Sequence, residues 1–470
     1  MNSASKPDAL LNQLTDYAFD YNSESQEAYD TARYCLIDSL GCVLRSLDDE
    51  NCKRVLGPLV ENIKISGGIH IPGAAQGLEP VQAAFNLGSM IRWLDFNDTW
   101  LAAEWGHPSD NLGAILSAAL LMEKRQQSVS VRDVLTAMIK AYEIQGCLAL
   151  DNSFNQFGID HVILVRVASA LVGSVMLGAT RQQAFNALSN AWVDGGSLRC
   201  YRHAPDTGSR KSWAAGDATA RGLWLALLAL RGEMGYPHAL STTDWGFQDS
   251  LFRGKQLILS RSLGSYVMQN VLFKVAYPAE FHAQTAIEAA IKLHPLVSQR
   301  DENIKRITIE TQQAGMRIIN KTGKLNNPAD RDHCLQYMVA VALLRGDLNS
   351  EDYFDSRAAD LRIDNLRDSM EVIENPDFTR AYHDPLQRAI PGAVQLFFKD
   401  GNQSERVLVE YPLGHRHRRD EALPLLQKKF RDNAQTVLKK DRCEQVLVLL
   451  SESDRLDVMP VGEFMQLLSH

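Results

Sequence analysis

The chain has 470 residues, 45% hydrophobic and 23% charged, enough to bury a large core without disulfide or metal staples. Its net charge of −8 argues against a nucleic-acid or anionic-membrane partner, so an anionic ligand needs a local basic pocket. Seven scattered cysteines (Cys35, Cys42, Cys52, Cys147, Cys200, Cys334 and Cys443) form no C-x-x-C pair, which predicts reduced thiols in a cytoplasmic compartment and no thiolate cluster for zinc or iron–sulfur.

The stretch Met1 to Leu14 lacks a basic region followed by an apolar one, so no signal peptide is read there. Apolar residues then recur at helical spacing over Gln26 to Leu47, Leu112 to Met122, Val134 to Leu150, Val162 to Leu177, Ala184 to Trp192 and Ala218 to Leu230. Gly and Pro fall mainly between these segments, as in Gly57-Pro58 and Gly235-Tyr236-Pro237. The run Leu223 to Leu230 is far shorter than the roughly 20 residues of a membrane span. After about residue 270 the texture changes. Arg306 to Thr311 alternates as a half-buried strand does. Ala393 to Phe398 and Arg406 to Tyr411 read as a hairpin around Lys399-Asp400-Gly401-Asn402. Helices are predicted at His282 to Leu293 and Asp332 to Leu344, and helical texture returns from Glu421. The resulting expectation is a mainly α protein. A large all-helical part covers 1–270, a smaller α+β part 271–412, and C-terminal helices 413–470.

Two segments carry chemistry. The first runs from Trp93-Leu94-Asp95-Phe96-Asn97-Asp98-Thr99-Trp100 to Glu104-Trp105-Gly106-His107-Pro108. Histidine suits proton transfer near neutral pH, and an adjacent aspartate fixes its tautomer. The bland alternative is a helix end capped by Asp95 or Asp98, with Pro108 opening the next helix. The second segment places Arg199, Arg202, His203, Arg210, Lys211 and Arg221 around Gly195-Gly196, Pro205 and Gly208. That pattern reads as an anion clamp or as a solvated basic loop, and a helix opening at Lys211 would add positive potential. His161, Lys274, His282 and Tyr337 are weaker candidates. Each is equally readable as a cap, a core residue or a snorkelling lysine. Nucleotide-loop, zinc-helix and serine-elbow motifs are absent, leaving a cation-rich pocket suited to proton abstraction beside a carboxylate.

Together these segments resemble the MmgE/PrpD family along nearly the whole chain, most specifically over Trp93 to Gly113, Thr207 to Arg221, Tyr266 to His282 and Asn326 to Leu343. The resemblance implies a large helical domain assembled from both chain ends, a smaller α+β lid and a homodimer, with neither cofactor nor metal. The implied reaction is loss of water from 2-methylcitrate to give 2-methyl-cis-aconitate in propionate breakdown, with slower hydration of cis-aconitate to citrate. The family's Asp-Phe-x-Asp-Thr pattern matches Asp95, Phe96, Asp98 and Thr99, and its His-Pro matches His107 and Pro108. His161, Lys211, Lys274 and Tyr337 occupy further family positions.

On that resemblance Asp95, His107, His161, Lys211 and Tyr337 are expected to be catalytic. Thr99, Arg202, Lys274 and His282 are expected to bind the tricarboxylate. His107, oriented by Asp95, is the expected base, and His161 or Tyr337 the expected acid. If all serve one site, it lies in a cleft between helical part and lid. Related cis-aconitate decarboxylases have a histidine soon after the Pro278 position, where this chain has Ala279-Glu280. This difference disfavours decarboxylation. A catalytically silent helical dimer acting as a scaffold is the remaining alternative.

Overall fold

The computed structural model describes residues 6–60, 65–203, 207–297 and 300–469, so Pro205 of the basic loop lies outside the described residues. The chain divides into two compact units, Met1–Leu272 with Leu426–His470, and Phe273–Leu425.

The first unit is helical. Its N-terminal elements are α1 (Ala9–Asp20), α2 (Gln26–Ser46), α3 (Glu50–Val55) and α4 (Pro80–Arg92). They are followed by α5 (Leu112–Lys124), α6 (Val131–Asp151), α7 (Val162–Met176), α8 (Arg181–Val193) and α9 (Arg210–Leu230). Helices α5 and α7 are apolar nearly all round and bury almost every residue, as interior helices of a bundle do. Helix α4 was not anticipated from the sequence, although Pro80 opens it and the Glu79 carboxylate accepts from the N–H groups of Val81 and Gln82. Helix α9 opens at Arg210, one residue before the Lys211 start read from the basic segment, and runs on through the apolar stretch Ala218 to Leu230. Helices α4 and α9 cross so closely that a Cβ on Gly216 would sit 2.2 Å from Ser89 Oγ and 2.4 Å from Phe85 O. That crossing brings the start of α9 beside the end of α4, where Ser212 Oγ donates to Trp93 O at 3.2 Å.

The C-terminal segment is part of this unit's core. Asp457 accepts from Arg33 and Arg132, and Gly462 N–H donates to Glu123 at 2.8 Å. Lys429 is buried. It pairs with Asp38 at 2.6 Å and donates to Phe96 O at 2.5 Å, so the C-terminal segment holds the Asp95–Thr99 loop from below. Among the described residues no helix is long and apolar enough to cross a membrane.

The second unit contains a four-stranded sheet ordered β2-β1-β3-β4, with β1 at Ile304–Thr311, β2 at Met370–Glu374, β3 at Gly392–Phe398 and β4 at Val407–Val409. Strand β1 pairs parallel with β2 (Ile307 opposite Met370) and antiparallel with β3 (Ile307 opposite Leu396). The β3–β4 hairpin turns where Asp-Gly was read, with Gly401 at φ 90°. Ile307, Ile309, Val394 and Leu396 pack with Ile287 and Leu293 of the helix Gln284–Val297 and with Met338 and Val339 of the helix Leu335–Arg345. Strand β2, Met-Glu-Val-Ile-Glu, was not anticipated. It is an edge strand with largely exposed side chains, so its apolar alternation is short and diluted by glutamates. The sequence placed the second boundary at 412, whereas the structure places it after Leu425. The intervening loop is fixed within this unit: Phe273 N–H donates to Gly414 O at 3.1 Å, and Arg418 reaches Glu288 at 2.8 Å.

Candidate active site

The loop after α4 carries the first cluster of candidate residues. Asp95 is buried and has φ 50°, a left-handed conformation that aspartate tolerates better than most residues and that persists only when its surroundings enforce it. Arg92, at the end of α4, pairs with the Asp95 carboxylate. The loop then closes on itself: Trp100 and Gly106 exchange main-chain hydrogen bonds of 2.8 and 2.9 Å, and Thr99 pairs with Leu272. This closure returns His107 to Asp98. The imidazole Nδ1–H donates to Asp98 O at 2.7 Å, with Thr99 Oγ1 at 3.5 Å, which leaves Nε2 facing Asp95 Oδ1 at 3.8 Å. A donor contact to a carbonyl fixes the tautomer without needing an ionised partner.

Beneath the loop lie carboxyls removed from water. Ser109 donates its N–H and Oγ–H to Asp98 Oδ1 at 3.1 and 2.6 Å, yet burial still pushes Asp98 up to about 6. Burial pushes Asp110 up to about 8, with Arg92 opposing.

His161 comes from the turn before α7. It is 2% exposed, its ring centroid is 6.0 Å from that of His107, and neither ring nitrogen has a hydrogen-bond partner among the described residues. Burial, opposed by the neighbouring Asp160 and reinforced by Arg202 and Arg199, holds the imidazole well below the ordinary histidine range, so it is neutral. Asp160 Oδ1 lies 3.5 Å from His161 Nδ1. Asp160 is gripped at both oxygens by Arg202, which overcomes desolvation and holds the carboxylate far below its usual range.

The basic loop therefore divides its labour. The Arg202 fork is committed to Asp160, with a further 3.3 Å contact to Lys211 O, so its charge is largely neutralised before any substrate anion arrives. Lys211 sits half-buried in the first turn of α9, where the helix dipole adds positive potential. Arg210 covers the faces of Tyr201 and Trp213.

The other expected residues belong to the second unit. Lys274 is 1% exposed. His282 is also buried, with Nδ1–H donating to Glu280 at 2.9 Å and Nε2 facing Tyr382 Oη at 3.2 Å. The imidazole holds Glu280 below the usual carboxylate range despite its burial. Tyr337 is a core residue whose hydroxyl donates to Asp352 O at 2.6 Å. Its burial pushes the phenol up to about 12, so the proton expected for the leaving group is engaged in a structural bond.

Sequence reasoning passed over Arg92, Asp160 and Lys429. Asp160 adjoins a candidate histidine and was the most legible of them, whereas Arg92 required recognition of α4. Lys429 lies too far away in sequence to be connected with the loop it supports.

Models of the MmgE/PrpD N-terminal domain and the MmgE/PrpD C-terminal domain match residues 12–260 and 277–453. The chain belongs to the MmgE/PrpD family. Within the family it is 53% identical over 468 residues to a 2-methylcitrate dehydratase of Escherichia coli (strain K12), covering 98% of this chain and 97% of that one. It is likewise 53% identical over 469 residues to a 2-methylcitrate dehydratase of Cupriavidus necator, covering 98% and 97%. A mitochondrial 2-methylcitrate dehydratase of Yarrowia lipolytica is 48% identical over 475 residues, covering 99% of this chain and 91% of that one.

Proposed function

We propose that this MmgE/PrpD chain removes water from 2-methylcitrate to give 2-methyl-cis-aconitate in propionate breakdown. The observation that carries the chemistry is the pairing of two buried imidazoles in unlike surroundings: neutral His161 among cations, and His107 beside the Asp95 carboxylate. Sites that separate acid from base do so by such differences of environment.

The elimination breaks a C–H bond next to a carboxylate and a C–OH bond on the neighbouring carbon. His161, neutral and with neither ring nitrogen hydrogen-bonded among the described residues, takes the C–H proton. His107, protonated on both ring nitrogens as the imidazolium that the nearby Asp95 carboxylate favours, delivers its Nε2 proton to the departing hydroxyl and keeps the Nδ1–H on Asp98 O. This reverses the sequence-based order of base and acid, because burial above all, with the nearby arginines adding to it, disfavours a charged His161 ring. Charge building on the carboxylate in the transition state is met by Lys211 and the N-terminus of α9. Arg202 acts by fixing Asp160 beside His161. Lys274 and His282 are proposed as further substrate-binding groups from their family positions, and single substitutions test each. Tyr337 is retained only as a packing residue.

The chain's own cations supply the electrostatic stabilisation that a Lewis acid provides elsewhere, which supports metal-independent catalysis. A homodimer is supported by an exposed apolar groove on the helical unit. It is lined by Val193, Tyr236, Trp245 and Leu251, with Trp245 85% exposed. A cytoplasmic location is supported by the scattered cysteine pattern, which contains no C-x-x-C pair. The test is a product screen of chelator-treated protein over 2-methylcitrate, citrate, isocitrate and cis-aconitate. The expected order places 2-methylcitrate first, with slower hydration of cis-aconitate to citrate. Carbon dioxide release from cis-aconitate would replace this reading with decarboxylation.

A further inference from the structure

Two short segments pair beside His161. Arg199 N–H donates to Gly158 O at 3.0 Å, Asp160 N–H donates to Ser197 O at 2.7 Å, and Ile159 bridges to Leu198. This pairing buries the Arg199 side chain, which is 9% exposed, next to the Asp160–His161 pair. Trp105 flanks the guanidinium, 5.2 Å from ring centroid to carbon. Its nearest ionic partner is Glu104 Oε1 at 3.8 Å, beyond hydrogen-bond reach.

The polar atoms here are incompletely matched. Arg199 Nη1 and Glu104 Oε1 are both buried without a hydrogen-bond partner among the described residues, as are both nitrogens of His161. Glu104 Oε2, by contrast, accepts from the N–H and side-chain amide of Asn155 at 2.7 and 2.8 Å, so the carboxylate is anchored on the side away from Arg199. A buried guanidinium whose Nη1 meets no acceptor among the described residues is expensive unless an anion completes it. Arg202 differs, because Asp160 already fills its fork.

We propose that Arg199 binds one carboxylate of the tricarboxylate substrate, in the fork geometry that guanidinium and carboxylate share, and that Glu104 is its resting counter-charge. The inference rests on the helical unit being the tricarboxylate site. It adds the residue that distinguishes three carboxylates from two. Trp105 keeps the guanidinium plane fixed, which lowers the ordering needed when the anion arrives.

The two substitutions have opposite expected effects. Arg199→Gln raises KM for 2-methylcitrate at least thirtyfold with a much smaller change in kcat, whereas Glu104→Gln lowers KM because the competing carboxylate is neutralised. The inhibition constants of tricarballylate and of glutarate, which lacks one of its three carboxylates, are then measured on parent and Arg199→Gln. The parent prefers the tricarboxylate strongly, and the variant loses most of that preference while glutarate binding changes little. Arg199→Lys, which keeps the charge but not the fork, recovers part of the affinity. Melting curves identify any unfolded variant, and Arg199→Lys then carries the test. A parent that turns over 2-methylcitrate while Arg199→Gln and Glu104→Gln leave KM and tricarboxylate preference unchanged overturns the proposal: the two residues are then a structural ion pair. A parent inactive on every tricarboxylate instead overturns the dehydratase reading on which it rests.

Discussion

Arg92 closes the last turn of α4 on the carboxylate of Asp95, whose own backbone has turned to φ 50° three residues later. The ion pair and the left-handed turn together fix where the carboxylate faces His107 Nε2.

Asparagine also tolerates a left-handed backbone, so Asp95→Asn separates charge from conformation. We expect kcat to fall by about a hundredfold or more, within the range seen when a charge-stabilising group is lost, with only a small change in melting temperature. Asp95→Ala should lose stability as well, because alanine gains nothing from that φ. Steady-state kinetics and thermal melts on the two variants check this. Equal activity in Asp95→Asn and the parent would reduce Asp95 to a turn residue.

Lys211 provides the second test. Removing an ammonium that stabilises transition-state charge should lower kcat/KM by more than about tenfold, or ~1.4 kcal/mol, in Lys211→Ala. A smaller loss in initial-rate measurements would mean that Lys211 is a solvated lysine at the start of α9.

The buried carboxyls predict a stability change with pH. Asp110 has its folded value raised from 3.8 to about 8 by burial, so folding favours its protonated form. Its favourable contribution is complete below the unfolded value and disappears as pH rises through about 8. Asp110→Asn abolishes that titration. The variant should therefore gain stability relative to the parent as pH rises from about 4 to about 8, with the two curves converging in acid. Chemical denaturation across this range measures the difference. A gap that widened toward acid pH would reverse the sign.

Much of the helical unit was legible because α5 and α7 repeat apolar residues over whole helices. Helix α4 was less so: its N-terminal signal, Glu79 before Pro80, is short, and the Arg92 at its end acquires meaning only from Asp95. Asp95, Thr99, His107, His161 and Lys211 were selected by residue type and family pattern, but the proposed exchange of roles between the histidines depends on surroundings. Burial first, then Asp160, Arg202 and Arg199, sets the His161 protonation state, and the Asp160–Arg202 pairing joins segments about 40 residues apart. The sequence also could not distinguish a loosely paired arginine from a committed one. Arg202 grips Asp160 at both oxygens, whereas Arg199 keeps Glu104 at 3.8 Å. The Asp352 carbonyl that accepts from Tyr337 is a main-chain group invisible to residue patterns.

The most direct test of the account is to mix chelator-treated protein with 2-methylcitrate and follow the ultraviolet absorbance of the new carbon–carbon double bond, comparing the parent with His161→Asn. Rapid absorbance growth in the parent, without added metal, and loss of turnover by orders of magnitude in a folded His161→Asn is the predicted result. No absorbance change with any stereoisomer of 2-methylcitrate, or an unaltered rate in His161→Asn, would contradict it.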